Sequence, residues 1–128
     1  RNVDYAAINF AVDESEAWLL ADRKGLAEYF NVPVENVPVK REGSTEISDS
    51  IRYKTSLFIL TEIAPLSNVK SIRDALAFER PGKKPSMYNS IWGRYIDDIW
   101  DIEAACANSE SLTRAIRRIK NMLSMKAG

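Results

Sequence analysis

From Ser86 to Ile99 an apolar side chain returns at every fourth position: Met87, Ile91, Tyr95 and Ile99, with Tyr88, Trp92 and Ile96 beside them. The adjacent pairs repeating every four residues line one side of a helix but would be split between the two faces of a strand, so a buried helix must organise the core. Ser86 is the expected cap, and the preceding Glu79-Arg80-Pro81-Gly82-Lys83-Lys84-Pro85 reads as a basic loop punctuated by Pro and Gly.

Other helices announce themselves by their ends. Asp22 suits the cap of a short helix through Phe30, with Asn31 at its exit. Asp101 suits the cap of a helix over Ile102 to Ala107, and Ser109 or Ser111 that of the last one. In that last helix Leu112, Ala115, Ile116, Ile119 and Leu123 are expected to face inward. A helix near Ser67 to Phe78 is expected from Val69, Ile72, Ala75 and Leu76. Residues 49–63 fit a helix ended by Pro65, although their β-branched residues keep a strand open toward the end.

The N-terminus reads differently. Residues 3–12 (Val3, Tyr5, Ala7, Ile8, Phe10, Val12) read as one strand, followed by a helix capped by Asp13 or Ser15 with Trp18, Leu19 and Ala21 inward. The expected fold is therefore α+β: mostly helical, with one or two N-terminal strands packed on a helical layer. At 128 residues and 45% hydrophobic content, 1–128 is expected to be a single domain with a real core. The chain opens on Arg1 and enters a strand pattern at once, which suggests a piece of a longer polypeptide.

Composition narrows the chemistry. Histidine is absent, which excludes Ser-His-Asp triads, Cys-His pairs and His-ligated zinc. One cysteine, Cys106, excludes an intrachain disulfide and suggests a reducing, cytoplasmic setting. No apolar run approaches the roughly 20 residues of a membrane span. A formal net charge of zero provides no global field for nucleic acid or an anionic membrane.

Charge is nevertheless uneven along the chain. Asp13, Glu14, Glu16 and Asp22 form an acidic cluster around a helix start, and Asp13 with Glu16 share a face at a spacing of three. Such a pair could hold Mg²⁺, which takes one or two carboxylates and keeps several waters. It could equally serve the helix dipole. Arg80, Lys83 and Lys84 could touch phosphates, but the loop lacks the Gly-x-x-x-x-Gly-Lys cradle. Arg114, Arg117 and Arg118 fall within one arc of the last helix, a face that can bind a nucleic-acid backbone or an acidic partner. Trp18, Trp92 and Trp100 suit core packing better than base stacking.

Several segments together carry a resemblance. Glu14-Ser15-Glu16-Ala17-Trp18-Leu19-Leu20-Ala21-Asp22 resembles the E-x-EAWLLAD signature of the bacterial domain-of-unknown-function family 4276. Tyr88-Asn89, Trp100-Asp101-Ile102-Glu103-Ala104-Ala105 and Ser109-Glu110-Ser111-Leu112-Thr113-Arg114-Ala115 resemble its closing pattern. The resemblance implies a TOPRIM-like protein, in which acidic residues on strand ends bind Mg²⁺ for phosphodiester chemistry, often encoded beside ATPases in phage-defence or mobile-element systems. It implies Glu16 as a catalytic and metal-site residue, Asp22 as a weaker metal-site residue and Arg114 as a phosphate or structural contact. TOPRIM-like proteins carry a first glutamate and an Asp-x-Asp pair upstream of this motif, and this chain starts too late to contain them. It therefore looks like the C-terminal part of such a protein.

Two functions are carried forward. One is a Mg²⁺-dependent nucleic-acid-processing activity with Glu16 in its metal site. The other is a non-enzymatic helical module that docks a partner protein such as an ATPase through the basic last helix. A strand at a chain terminus would also permit a homodimer.

Overall fold

In a computed structural model, residues 12–127 are described, with side chains from 16 to 125. Seven α-helices follow one another among them: α1 (Val12–Ala21), α2 (Arg23–Phe30), α3 (Thr55–Phe58), α4 (Lys70–Ala75), α5 (Tyr88–Asp98), α6 (Ile102–Cys106) and α7 (Glu110–Ala127). Single 3₁₀ turns at Val34–Asn36 and Ile47–Ser50 shape the long loop between α2 and α3. α3 continues through a π-helical turn, Ile59–Ile63, into a 3₁₀ turn, Ala64–Leu66.

The α+β expectation is corrected. No strand occurs among the described residues, and the only β pairing there is an isolated antiparallel bridge between Glu46 and Ser109. Residues 3–11 of the expected strand lie outside the described residues, and Val12, its last, opens α1. The stretch that could have been a strand near residue 60 is helical for a clear reason. Thr55, Ile59 and Ile63 are β-branched, but Ile59 with Leu60 and Ile63 with Ala64 are buried as adjacent pairs, which share one side of a helix and would point to opposite faces of a strand. Burial at helical spacing outweighs a propensity worth well under ~1 kcal/mol per residue.

The end signals at Asp22, Asn31, Asp101 and Ser109 hold, Ser109 Oγ accepting from Leu112 N–H at 3.3 Å. The Asp22 carboxylate accepts from Gly25 N–H at 3.1 Å, and Asn31 leaves α2 in the left-handed region at φ 51°. Asp101 Oδ1 accepts from Glu103 and Ala104 N–H at 3.0 and 3.2 Å and starts α6. Two others fail. Met87, not Ser86, stands at the cap of α5, because the Ser86 hydroxyl instead donates to Glu79 Oε1 at 2.7 Å. Neither Asp13 nor Ser15 caps α1, which already runs from Val12.

The main core is built where α2, the α3 continuation and α5 meet. Leu20, Leu26, Phe30, Ile59, Ile63 and Tyr95 are fully buried in it. Aromatic rings tie it together: Phe30 to Trp92 at 5.8 Å, Trp92 to Tyr95 at 5.6 Å, and Tyr29 to Tyr95 at 5.4 Å between centroids. A smaller cluster of Ala21, Ile47, Ala105 and Leu112 fastens the start of α7, with Trp18, Trp100 and Ile116 against it.

The last helix departs from expectation in its second half. Leu112 is buried and Ile116 half-buried, but Ile119 and Leu123 are exposed rather than inward. From Arg117 to Met125 every residue of α7 is exposed, so the apolar stripe runs off the end of the core.

Candidate functional site

Three hydrogen bonds from distant side chains converge on the C-terminal end of α1. A helix leaves its last four carbonyls without intrahelical partners. At α1 these belong to Trp18, Leu19, Leu20 and Ala21. Because α2 begins only two residues later, the chain itself has little room to satisfy them, and side chains from the distant C-terminal half satisfy three of the four. Trp100 Nε1 donates to Trp18 O at 3.1 Å, Tyr95 Oη to Leu19 O at 2.9 Å, and Asn108 Nδ2 to Ala21 O at 2.8 Å. Burial drives the Tyr95 phenol well above its ordinary range, with the Asp22 charge adding to it, so it stays a donor.

Asp22 completes the same junction. Its Oδ1 takes Gly25 N–H, and its Oδ2 takes Asp101 N–H at 2.9 Å. Both oxygens of this buried carboxylate are thereby committed to backbone amides that start α2 and position α6. Those bonds make it a structural capping group.

Glu16 is placed differently. Its side chain is buried, and Oε1 lies 3.0 Å from Lys84 Nζ. Oε2 is also buried and has no hydrogen-bond partner among the described residues. The Lys84 ammonium also lies 4.9 Å from the centre of the Tyr88 ring, so the Pro/Gly loop bridges α5 to α1. Glu16 and Lys84 thus meet across 68 residues, a pairing that neither residue's neighbours signal. One carboxylate already balanced by an ammonium does not fit Mg²⁺ by itself. No group of three or more Asp, Glu, His or Cys side chains that could hold a metal ion occurs among the described residues. Asp13 lies in α1, and its side chain is outside the described residues.

The remaining basic candidates do not converge. Lys83 is exposed in the loop, while Lys84 is committed to Glu16. Arg114 pairs with Glu110 at 3.3 Å one turn back. Arg117 and Arg118 are exposed, with no ion pair to another described side chain.

The residue that sequence reasoning overlooked is Glu46. Its Oε1 accepts from the hydroxyls of Ser109 and Ser111, both at 2.7 Å, and its Oε2 from Ser111 N–H at 2.9 Å. Burial works to raise this carboxyl, but the bonds from Ser109, Ser111 and the Glu110 amide prevail and hold it below the usual glutamate value. Trp18 Nε1 joins the group through Ser111 Oγ at 2.9 Å. Ser109 and Ser111 were legible as helix-start residues, but no local signal tied them to a glutamate in a loop. Arg23 was also overlooked. Its guanidinium holds the carbonyls of Val34, Val37 and Pro38 at 2.9–3.0 Å and so sets the course of the loop after α2.

An open groove of ≈ 410 Å³ runs between α4 and α5, lined by Val69, Ile72, Ala75, Ile91, Tyr29 and Arg94 among others. Tyr29 Oη donates to Ile91 O at 3.3 Å, and burial raises its phenol above the ordinary range. The groove holds no pair of groups suited to acid–base work. No described helix is long and apolar enough to cross a membrane. Comparison of the chain with family models, curated proteins and solved structures finds no match in any of the three.

Proposed function

We propose that this chain is a helical interaction module that docks a partner protein through the projecting half of α7. The observation that carries this reading is the continuity of one apolar stripe from core to solvent. Leu112 on that stripe is 3% exposed, whereas Ile119, Met122 and Leu123 are 56%, 60% and 61% exposed. Completing the burial of such side chains is worth roughly 1–2 kcal/mol each, and a partner is the ordinary way to gain it. The family resemblance adds an ATPase as the expected kind of partner.

A photo-crosslinking residue at Met122, on the stripe, tests the reading in the cells of origin. A discrete protein adduct, lost when Ile119 and Leu123 are both changed to Ser, is expected. The absence of any adduct in a folded protein overturns it.

A second reading rests on Glu16, whose buried Oε2 lacks a partner among the described residues. In it the chain is part of a TOPRIM-like, Mg²⁺-dependent nucleic-acid-processing protein, with Glu16 at the metal site alongside further carboxylates. Calorimetric titration with Mg²⁺ or Mn²⁺, run beside a Glu16→Gln variant, tests it. Binding that this variant abolishes supports the reading, and identical titrations of the two proteins remove it.

A further inference from the structure

The charges that border the α7 stripe specify what can cover it. Successive residues of an α-helix are turned by about 100°, so Arg118 and Lys120 lie on opposite edges of the line through Ile119. Ile119, Met122 and Leu123 follow one another at helical spacing and form a stripe flanked by a cation on either side. From Ser111 to Gly128 the sequence contains Arg114, Arg117, Arg118, Lys120 and Lys126 and no acidic residue. The one acidic residue of α7, Glu110, is already engaged by Arg114.

We infer that the occupant of this stripe is an acidic amphipathic helix of another protein, its apolar seam on Ile119, Met122 and Leu123 and its carboxylates against Arg118 and Lys120. The inference rests on the docking reading above and gives the partner its chemistry. A stripe of side chains at spacings of three and four is matched by the ridges of a second helix. A second copy of α7 is disfavoured, since either orientation sets cations against cations with no free carboxylate between them. Phosphates of a nucleic acid would meet the arginines but leave the Ile, Met and Leu side chains wet. An anionic membrane would meet both, but of the Trp, Phe and Leu that interfacial helices insert α7 carries only Leu. Methionine in the stripe suits a protein surface, where its flexible thioether adapts to the opposing side chains.

Fluorescence anisotropy with labelled three-heptad synthetic helices tests this on the whole chain. One peptide carries a leucine seam flanked by glutamates, and the other the same seam flanked by lysines. The glutamate peptide is expected to bind at least about tenfold more tightly at low salt and to lose that advantage at high salt. Arg118→Glu with Lys120→Glu is expected to reverse the preference, and Ile119→Ser with Leu123→Ser to abolish both bindings. These four positions are exposed, and circular dichroism verifies that the variants stay folded. Equal, stripe-dependent binding of both peptides overturns the acidic assignment and leaves α7 as a docking helix. Binding of neither peptide overturns the assignment and the docking reading together. Stripe-dependent self-association in sedimentation, or stripe-dependent binding to phosphatidylserine vesicles with no binding of the glutamate peptide, also overturns the assignment.

Discussion

Glu46 and Ser111, 65 residues apart, are joined twice: the carboxylate accepts the serine hydroxyl at 2.7 Å and its backbone N–H at 2.9 Å. The loop before α3 thereby supplies the negative charge at the start of α7 that the helix dipole favours. With Ile47 N–H on Asn108 O at 3.1 Å and Glu110 N–H on Thr45 O at 3.0 Å, it anchors the base of the helix whose far end projects.

Glu46→Gln should therefore destabilise the fold by about 1–2 kcal/mol at neutral pH. Its amide NH₂ would either meet the Ser111 N–H, donor against donor, or force the Ser109 and Ser111 hydroxyls, which already accept from Leu112 N–H and Trp18 Nε1, to turn and accept again. The pH dependence has a definite sign. The folded carboxyl titrates below the ordinary 4.5, so its contribution is complete above that pH and is lost as pH falls through the lower folded value. Urea denaturation of both proteins should show the deficit at pH 7 and a smaller one once the pH falls well below 4.5. A deficit independent of pH would mean that Glu46 acts by packing alone.

Gly25→Ala should cost about 1–3 kcal/mol, against the roughly 1 kcal/mol that alanine ordinarily gains inside a helix. A Cβ there would collide with the Asp22 carboxylate, which cannot turn aside without releasing Gly25 N–H and Asp101 N–H. Thermal melting decides it, since a raised Tm would show the carboxylate to be free to move.

Lys84→Met should be worse than Glu16→Gln. The first leaves a charged carboxylate with a side chain 5% exposed and no counter-ion, while the second leaves a solvated lysine. Because the Lys84 side chain is itself 42% exposed, the loss expected is about 1–3 kcal/mol, below the cost of breaking a wholly buried pair. The double change Glu16→Leu with Lys84→Met should recover part of it, in a double-mutant cycle closed by Glu16→Leu alone. Equal losses from Lys84→Met and Glu16→Gln would mean that the pair does not compensate the burial of Glu16.

The two halves of α7 should respond oppositely to substitution. Leu112→Ala removes a side chain buried among Ala21, Ile47 and Ala105 and should cost about 2–4 kcal/mol. Leu123→Ser should change stability by less than about 0.5 kcal/mol, because nothing described packs over it. Chemical denaturation of both variants makes the comparison. A large loss at Leu123 would place that side chain in a contact essential to the folded chain.

The features legible from residue order alone were local ones. Asp22, Asn31 and Asp101 mark helix ends because a side-chain oxygen two or three residues from a free N–H, or a residue tolerant of positive φ, acts within one turn. The periodicity of residues 87–99 likewise identified the face buried at Tyr88, Ile91, Trp92 and Tyr95, since helical geometry alone brings those side chains together, while Met87, at the cap, is exposed. The candidate sites were legible as residue types but not as pairings. Whether Glu16 meets a metal or Lys84, whether Asp22 is a ligand or a cap, and where Glu46 belongs depend on chain crossings of 63 to 79 residues. The role of the α7 stripe also rests on how the chain packs. Amphipathic spacing fixes which face of a helix is apolar, but the length of the core beneath it sets how much of that face is covered. Here the core ends near Ile116, and the rest of the stripe is left to solvent.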